Sequence, residues 1–490
     1  MRGGDATLRG GVAGGSLGQC DVGCVLARRR SRSGEGAGGG SGAEGRRSRR
    51  RQRPARALLA WALATALAPA AAPAGASGAV PPARGPEPRA TLTVATSGDY
   101  APFSVTQPDG RLEGFDLTLA RAYARDRGLE LRLVRLSWPD LLEDLAAGRF
   151  DVAMSGITVR PERSLAGVFT VPVMETGAVV LVRAGAAVAT TTDLDAAGVR
   201  IVVNAGGHLE RVARARFPRA EVRAVAPNDA VPDLVAAGQA DAAVTDTAEA
   251  PHWMRRVPEL RRLPPLTHDL KAFLAPADRA ARAADLDAWL LAREADGTLA
   301  RLRHETLGGE PSPPTAAVLP ALLAAMDERL DLMPLVAEAK RATGIGLRDP
   351  AQEERVVEAG WRATRQAARR LGRTSPAELE VRALFQAQIA AAREVQRAVL
   401  AAPPLQPGEP AADLAALREA LARIGDRIAR LLVQLPSELD AVSVREAVRL
   451  RLDAPGLAAP ARDRIADALI AVARRGPAQP RAGASAPGGG

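Results

Sequence analysis

The stretch Phe150–Arg163, FDVAMSGITVRPER, joins an apolar run to a polar turn, Ser155-Gly156-Ile157-Thr158, with an arginine five residues beyond Thr158. The run reads as a buried parallel strand, and open α/β sheets bind ligands at the carboxyl ends of such strands. Small hydroxyl side chains, free backbone N–H groups and a guanidinium whose fork matches two carboxylate oxygens would make that turn a carboxylate site. A solvated arginine following a strand is the competing reading. Far downstream, Arg329 and Lys340 stand eleven residues apart in an Ala/Leu-rich segment. At about 100° per residue they return to within ~20° of each other on one helix face, where two cations could neutralise a dianion. A solvated basic stripe is the alternative there.

Positioning these groups takes two kinds of scaffold. Strand and helix signals alternate in the first: strand Leu92–Ala95, helix Phe115–Arg127, strand Leu129–Arg135, helix Trp138–Ala147, strand Phe150–Met154. A second series follows, with strands at Val199–Val203, Glu221–Val225 and Ala240–Val244 and helices at His208–Arg216, Asp229–Ala237 and Asp246–Arg255. Such alternation predicts parallel sheets with crossover helices, and two tandem units predict two lobes. The chain should return to the first lobe at Lys271–Leu274 and finish on helices Ala277–Glu294 and Gly297–Glu305. Beyond the linker GGEPSPP the strand signals vanish. The segments Ala316–Ala342, Gln352–Leu371, Ala377–Leu400, Ala411–Leu435, Val442–Leu452 and Ala459–Arg474 read as amphipathic helices. The fold class is therefore a two-lobed α/β domain followed by an all-α domain.

At 490 residues, 47% hydrophobic and 25% charged, the chain can build two or three domains. The net charge of +10 suggests nucleic acid, but residues 1–56 carry 13 Arg against 4 Asp/Glu, a surplus of 9, and the rest is close to neutral. Nucleic-acid binding is thereby confined to the leader as a weak alternative. Cys20 and Cys24, the only cysteines, also lie in the leader, so the domains need neither a disulfide nor a structural metal. Basic residues from Arg46, the apolar run ALLAWALATALA and the small residues Ala74-Gly75-Ala76 follow the order of a signal peptide, with cleavage expected between about Ala76 and Val80. Export, with no membrane anchor afterwards, is the expectation. The predicted organisation is a low-complexity leader at 1–45, a signal peptide at 46–79, linkers at 80–89 and 308–314 around an α/β domain at 90–307, a helical domain at 315–475 and a disordered tail at 476–490. The leader is either a start site placed too far upstream or a basic tail that is made.

The segments TSGDYAPFS (Thr96–Ser104), GFDLTLA, SWPDLL, FDVAMSGITVRPER, VNAGG (Val203–Gly207) and DAAVTDTAEA (Asp241–Ala250) resemble the periplasmic amino-acid-binding protein family, and within it the cyclohexadienyl (arogenate/prephenate) dehydratases. The resemblance covers about Ala90–Leu307. It implies a cleft between two lobes in which Arg163 clamps a carboxylate, helped by Thr158 and the N–H groups at Gly206-Gly207. Asp99 and Asp246 match positions that face a ligand's α-amino group in the binding proteins, Trp138 would lie against the ring, and Asn204 would hydrogen-bond polar groups. Glu249 matches the general acid. Expulsion of a ring hydroxyl and CO₂ needs a proton for the departing oxygen, and a desolvated carboxyl can carry one at neutral pH. Asp246-Thr247-Ala248-Glu249 is equally a capping-box pattern, and that reading stays open. His208, where relatives show threonine, and Ala178, in place of a lysine, depart from the pattern. His208 either alters the anion site or merely starts a helix.

In the helical half, ERLDLMPLVAEAK (Glu328–Lys340), LRDP (Leu347–Pro350) and FQAQIAAAREVQ (Phe385–Gln396) resemble exported all-helical chorismate mutases. The resemblance implies that Arg329 holds a carboxylate, that Lys340 and Gln396 donate to the ether oxygen, that Asp349 meets the substrate hydroxyl and that Arg427 supplies a second carboxylate-binding arginine. Catalysis of that rearrangement needs only a held conformer and fixed positive charge. Gln352 stands where the family has an arginine, which Arg355 or Arg348 could replace, and Ala392 replaces a polar residue. The two resemblances imply consecutive steps, chorismate to prephenate and prephenate or arogenate to phenylpyruvate or phenylalanine, with no cofactor and no metal. The competing class is an amino-acid receptor fused to a helical adaptor.

Overall fold

The computed structural model describes residues 90–307, 312–403 and 412–474. The leader with Cys20 and Cys24, the segment 46–79 expected to be a signal peptide, the 80–89 linker, most of the 308–314 linker and the tail lie outside the described residues.

The first lobe is built on a five-stranded sheet in the order Glu130–Arg135, Thr91–Thr96, Val152–Ala153, Leu274–Pro276, Gly167–Phe169. The first three strands are parallel, with Val94 opposite both Leu133 and Val152, and the returning strand Leu274–Pro276 runs antiparallel beside them. The second lobe repeats the plan in the order Glu221–Val225, Arg200–Asn204, Ala242–Asp246, Ala178–Arg183, Leu260–Arg262. Ala178–Arg183, antiparallel to Ala242–Asp246, had no counterpart in the sequence reading. Its run AVVLVR buries Val180 and Val182 in one apolar cluster and Val179 and Leu181 in another, so it lacks the in–out alternation of a half-exposed strand. Two crossing strands, Met174–Thr176 and Asp269–Lys271, pair antiparallel between the lobes, with Lys271 opposite Met174.

The helical half begins with a correction. The single helix expected over 316–342 is two, Val318–Asp331 and Met333–Thr343, meeting at buried Leu332. Pro334 has no N–H to donate to the carbonyl one turn back, which breaks the ladder there. Arg329 and Lys340 therefore lie on two different helices, not on one continuous helix face. The other helices are Pro350–Arg370, Glu378–Ala401, Leu414–Gln434, Ala441–Arg451 and Ala459–Ala473.

The two halves share one apolar cluster, in which Val171, Leu286 and Leu290 join Leu322, Met326, Ile428 and Leu432. Polar contacts register them. Ser164 Oγ donates to Glu328 Oε1 at 2.8 Å, Arg430 Nη2 to Asp287 Oδ2 at 3.0 Å, and Arg451 pairs with Glu175. No helix among the described residues is long and apolar enough to cross a membrane.

Candidate functional site

The strand Ala242–Asp246 and the turn that follows it place two carboxyl groups, Asp246 and Glu249, in the buried layer behind the cleft, with different tasks. Asp246 Oδ1 accepts from the N–H groups of Ala248 and Glu249, at 3.0 and 2.9 Å, so Asp246 satisfies the exposed donors of the turn. Glu249 does not reach back in reciprocal fashion. It stands at the start of helix Ala250–Arg256 without a side-chain cap bond, and its carboxyl turns inward. Asn228 Nδ2 donates to Oε1 and Thr245 Oγ1 to Oε2, each at 2.7 Å. Only 1% of Glu249 is exposed. Burial, followed by the charge of Asp246, raises its pKa well above the ordinary carboxyl value, with the Thr245 and Asn228 bonds opposing. The neutral, proton-bearing form is favoured.

Across the cleft, the turn after Val152–Ala153 carries Thr158, and the short helix Pro161–Ala166 that follows carries Arg163. Gly156 there has φ of +62°, and a Cβ would meet the rings of Phe103 and Tyr100 at under 3 Å, so the backbone approaches closely only as glycine. Arg163 is buried, its Nη1 donating to the Thr158 carbonyl at 2.9 Å. Among the described residues no carboxylate forms an ion pair with it, and burial lowers its pKa to about 10, against the opposing charge of Glu162. A buried guanidinium with one carbonyl partner is prepared for an anion.

Lys271, on the second crossing strand, is 2% exposed and central. Its Nζ donates to Tyr100 Oη at 2.9 Å and Thr158 Oγ1 at 3.0 Å, and lies 3.1 Å from Asp246 Oδ2. Tyr100 Oη also donates to Asp246 Oδ2. Burial, then the charges of Asp246 and Glu249, push the Tyr100 pKa well above its usual value. Trp138 sits edge-on to Tyr100 at 5.7 Å between centroids, and its Nε1 points to Asp99 Oδ1 at 3.4 Å.

Several contacts hold the lobes against each other. Asn228 Nδ2 also donates to the Asp99 carbonyl at 2.9 Å, and a Cβ on Gly206 would strike Pro139 at 2.7 Å. His208 opens its helix, and its ring also bridges the lobes: Nδ1 is 2.5 Å from Arg160 Nη1 and Nε2 is 2.9 Å from Asp269 Oδ2. The Gly206 N–H, expected to help hold an anion, donates instead to Glu210 Oε2 at 2.7 Å, whereas Gly207 and Asn204 line the cleft. The cavity between the lobes is about 30 Å³ and is lined by Tyr100, Trp138, Thr158, Arg163, Asn228 and Lys271, among others. That is room for about one or two waters, so ligand entry requires the lobes to part.

The helical residues are less fully assembled. Arg329 is buried, its Nη1 donating to the Leu421 carbonyl at 3.3 Å and its Nε without a partner, and burial lowers its pKa to about 10. Gln396 Nε2 contacts Met333 Sδ at 3.2 Å and its Oε1 has no partner. Lys340 Nζ donates to the Leu347 carbonyl at 2.8 Å, and Asp349 caps helix Pro350–Arg370 through Gln352 N–H at 3.0 Å. Gln352 Oε1 engages exposed Arg355 at 2.8 Å, so Arg355 is not directed inward as a substitute. Arg427 departs from expectation. It pairs with Glu328 and donates to the Phe169 carbonyl at 2.6 Å, which places it between the two halves and not at a free carboxylate site.

Three site residues escaped the sequence reading: Tyr100, Asn228 and Lys271. Composition carried a signal for the last. The chain has 66 basic residues of which only two, Lys271 and Lys340, are lysines. Where arginine is the rule, a lysine marks a place that suits a compact ammonium with three donors.

With this geometry in hand, residues 92–309 match the family described as bacterial extracellular solute-binding proteins, family 3. Cyclohexadienyl dehydratase of Pseudomonas aeruginosa is 36% identical over 219 residues, covering 44% of this chain and 81% of that protein. The L-cystine-binding protein TcyJ of Escherichia coli K12 is 30% identical over 162 residues, covering 33% of this chain and 61% of that protein. A crystal structure of an ancestral amino acid-binding protein, described as a precursor of cyclohexadienyl dehydratase, aligns at 30% identity and a TM-score of 0.43, covering 44% of this chain and 95% of that one.

Proposed function

This chain belongs to family 3 of the bacterial extracellular solute-binding proteins, and from that premise we propose that its cleft is the active site of an exported dehydratase acting on prephenate or arogenate. The observation that carries the reading is Glu249, a buried carboxyl kept neutral and aimed by Asn228 and Thr245. A buried carboxyl held in its neutral form can supply the proton that an elimination needs.

In the proposed reaction Arg163 and Thr158 anchor a substrate carboxylate, and Trp138 covers the ring. The C–OH bond breaks as Glu249 delivers its proton to the departing oxygen, which leaves as water. The C–CO₂ bonding pair moves into the ring, CO₂ departs and aromaticity is gained. Glu249 then regains a proton from solvent. Closure of the lobes excludes bulk water and strengthens each electrostatic contact. The amino-terminal segment at 46–79 is proposed to export the protein. Purified protein supplied with prephenate should release phenylpyruvate, and tight binding of an ordinary amino acid without turnover would instead favour the receptor reading that relatives such as TcyJ make available.

For the helical half we propose chorismate mutase activity, which would feed the cleft. Its support is Arg329, a buried cation with an unpartnered Nε donor and no counter-anion among the described residues. Loss of chorismate with appearance of prephenate in a Glu249→Gln background tests it, and unchanged chorismate would leave the helices as an interaction domain.

A further inference from the structure

We infer that the cavity between the α/β lobes and the helical half is a second ligand site, one that takes an organic ammonium ion with an apolar body. The cavity measures about 540 Å³. Small-molecule sites span about 300–1,000 Å³. It is separate from the cleft, with which it shares only His208 among the lining residues, and none of Arg329, Lys340 and Gln396 lines it. The site does not depend on the reaction proposed for the cleft.

Helix Val318–Asp331 sets the chemistry. Asp327 and Asp331 stand four residues apart near its C-terminus, on one face, and both line the cavity. Asp327 Oδ1 is buried without a hydrogen-bond partner, and Asp331 is an exposed residue of the wall. A like-charged pair at this spacing weakens a helix, and a helix C-terminus disfavours negative charge. Among the described residues no ion pair offsets that cost. Burial, then the charges of Asp331 and Asp453, raise the pKa of Asp327 well above the ordinary carboxyl value, and a bound ammonium would bring it down. The nearby cations are committed elsewhere: Arg451 pairs with Glu175, and Arg160 with Glu162 at 2.7 Å.

The remaining carboxylates of the wall have their partners. Asp269 faces His208 at 2.9 Å, and Glu328 pairs with Arg427. What is left for a ligand is two unneutralised carboxylates beside the apolar side chains of Leu270, Leu335 and Val399. An ammonium group placed between Asp327 and Asp331 removes their repulsion, while an attached apolar body covers the leucines and the valine. A ligand carboxylate would meet the same two anions and be rejected, so a plain amine is selected over an amino acid or an acid. Among the described residues no three metal-ligating side chains are grouped to hold a metal ion, which leaves an organic cation.

2-Phenylethylamine and 2-phenylethanol share a shape and differ in charge, and form a suitable probe pair. Calorimetric titration of the full chain at about 0.15 M salt, where loose surface attraction is screened, should give the amine at least about tenfold tighter than the alcohol. The double variant Asp327→Asn with Asp331→Asn keeps size and removes both charges, and it should abolish that preference. Absence of amine binding by the parent chain, an alcohol bound as tightly, or a preference kept by the folded double variant overturns the inference. If the double variant does not fold, Asp331→Asn alone, at its exposed position, decides: amine affinity should fall at least about threefold, and unchanged affinity overturns the site.

Discussion

Glu249→Gln removes one acidic proton and almost nothing else. The amide keeps an oxygen that can accept from Asn228 Nδ2 where the carboxyl now does at 2.7 Å, and its NH₂ can donate to Thr245 Oγ1. Because burial already favours the neutral carboxyl, the substitution changes little charge in the cleft. Substrate affinity should therefore stay within about threefold, while kcat falls by about 10² to 10⁴, the usual contribution of a positioned general acid. In barrier height this is ~3–5 kcal/mol. The assay is phenylpyruvate formation from prephenate across a range of pH. The wild-type rate should be flat on the acid side and decline as pH rises through the elevated Glu249 pKa, because the protonated form acts. Stability has the same sign: the native state binds a proton that the unfolded chain has lost above about pH 4.3, so wild-type stability falls as pH rises and the Gln variant escapes that loss. A Gln variant retaining more than about a tenth of kcat, or a wild-type rate that climbs with pH, would refute the role of Glu249.

Arg163→Ala should raise KM roughly 30- to 150-fold, from the loss of about 2–3 kcal/mol of charged hydrogen bonding, with a smaller effect on kcat. An unchanged KM would reduce Phe150–Arg163 to scaffold. Asp116 is 1% exposed, accepts from Gly156 N–H at 2.6 Å, and burial raises its pKa to about 7. Between the unfolded value of about 3.9 and about 7 it should cost up to ~4 kcal/mol of stability as pH rises, so Asp116→Asn should flatten that part of a stability-against-pH curve. In the helical half, Arg329→Ala should abolish chorismate consumption. Because Gln396 does not titrate, mutase activity should hold steady from about pH 6 to 8, and a sharp decline there would count against the assignment.

What was legible in the sequence was what local pattern dictates. Alternating apolar runs gave both sheets and the return strand after Lys271, and FDVAMSGITVRPER pointed to an arginine near a hydroxyl turn, while its burial, against the competing solvated reading, came only from the structure. Ala178–Arg183 was missed because a strand buried on both faces has no period of two. Pro334 was visible but was read through, so two helices were taken for one. The capping-box ambiguity at Asp246–Glu249 could be resolved only by Asn228, which lies 21 residues upstream of Glu249 in sequence. Arg427 was assigned to a substrate, yet its partners are Glu328 and the Phe169 carbonyl, 258 residues away, a contact set by how the two halves dock. Lys271 joins Tyr100, Thr158 and Asp246, a convergence no local window contains, although its rarity among arginines pointed to it.

The most direct measurement is to supply the purified chain with prephenate and follow phenylpyruvate and CO₂, with Glu249→Gln alongside. Prephenate should be converted to equal amounts of both products, and the variant should bind prephenate without converting it. Prephenate left intact by a folded protein that binds an ordinary amino acid tightly would contradict it.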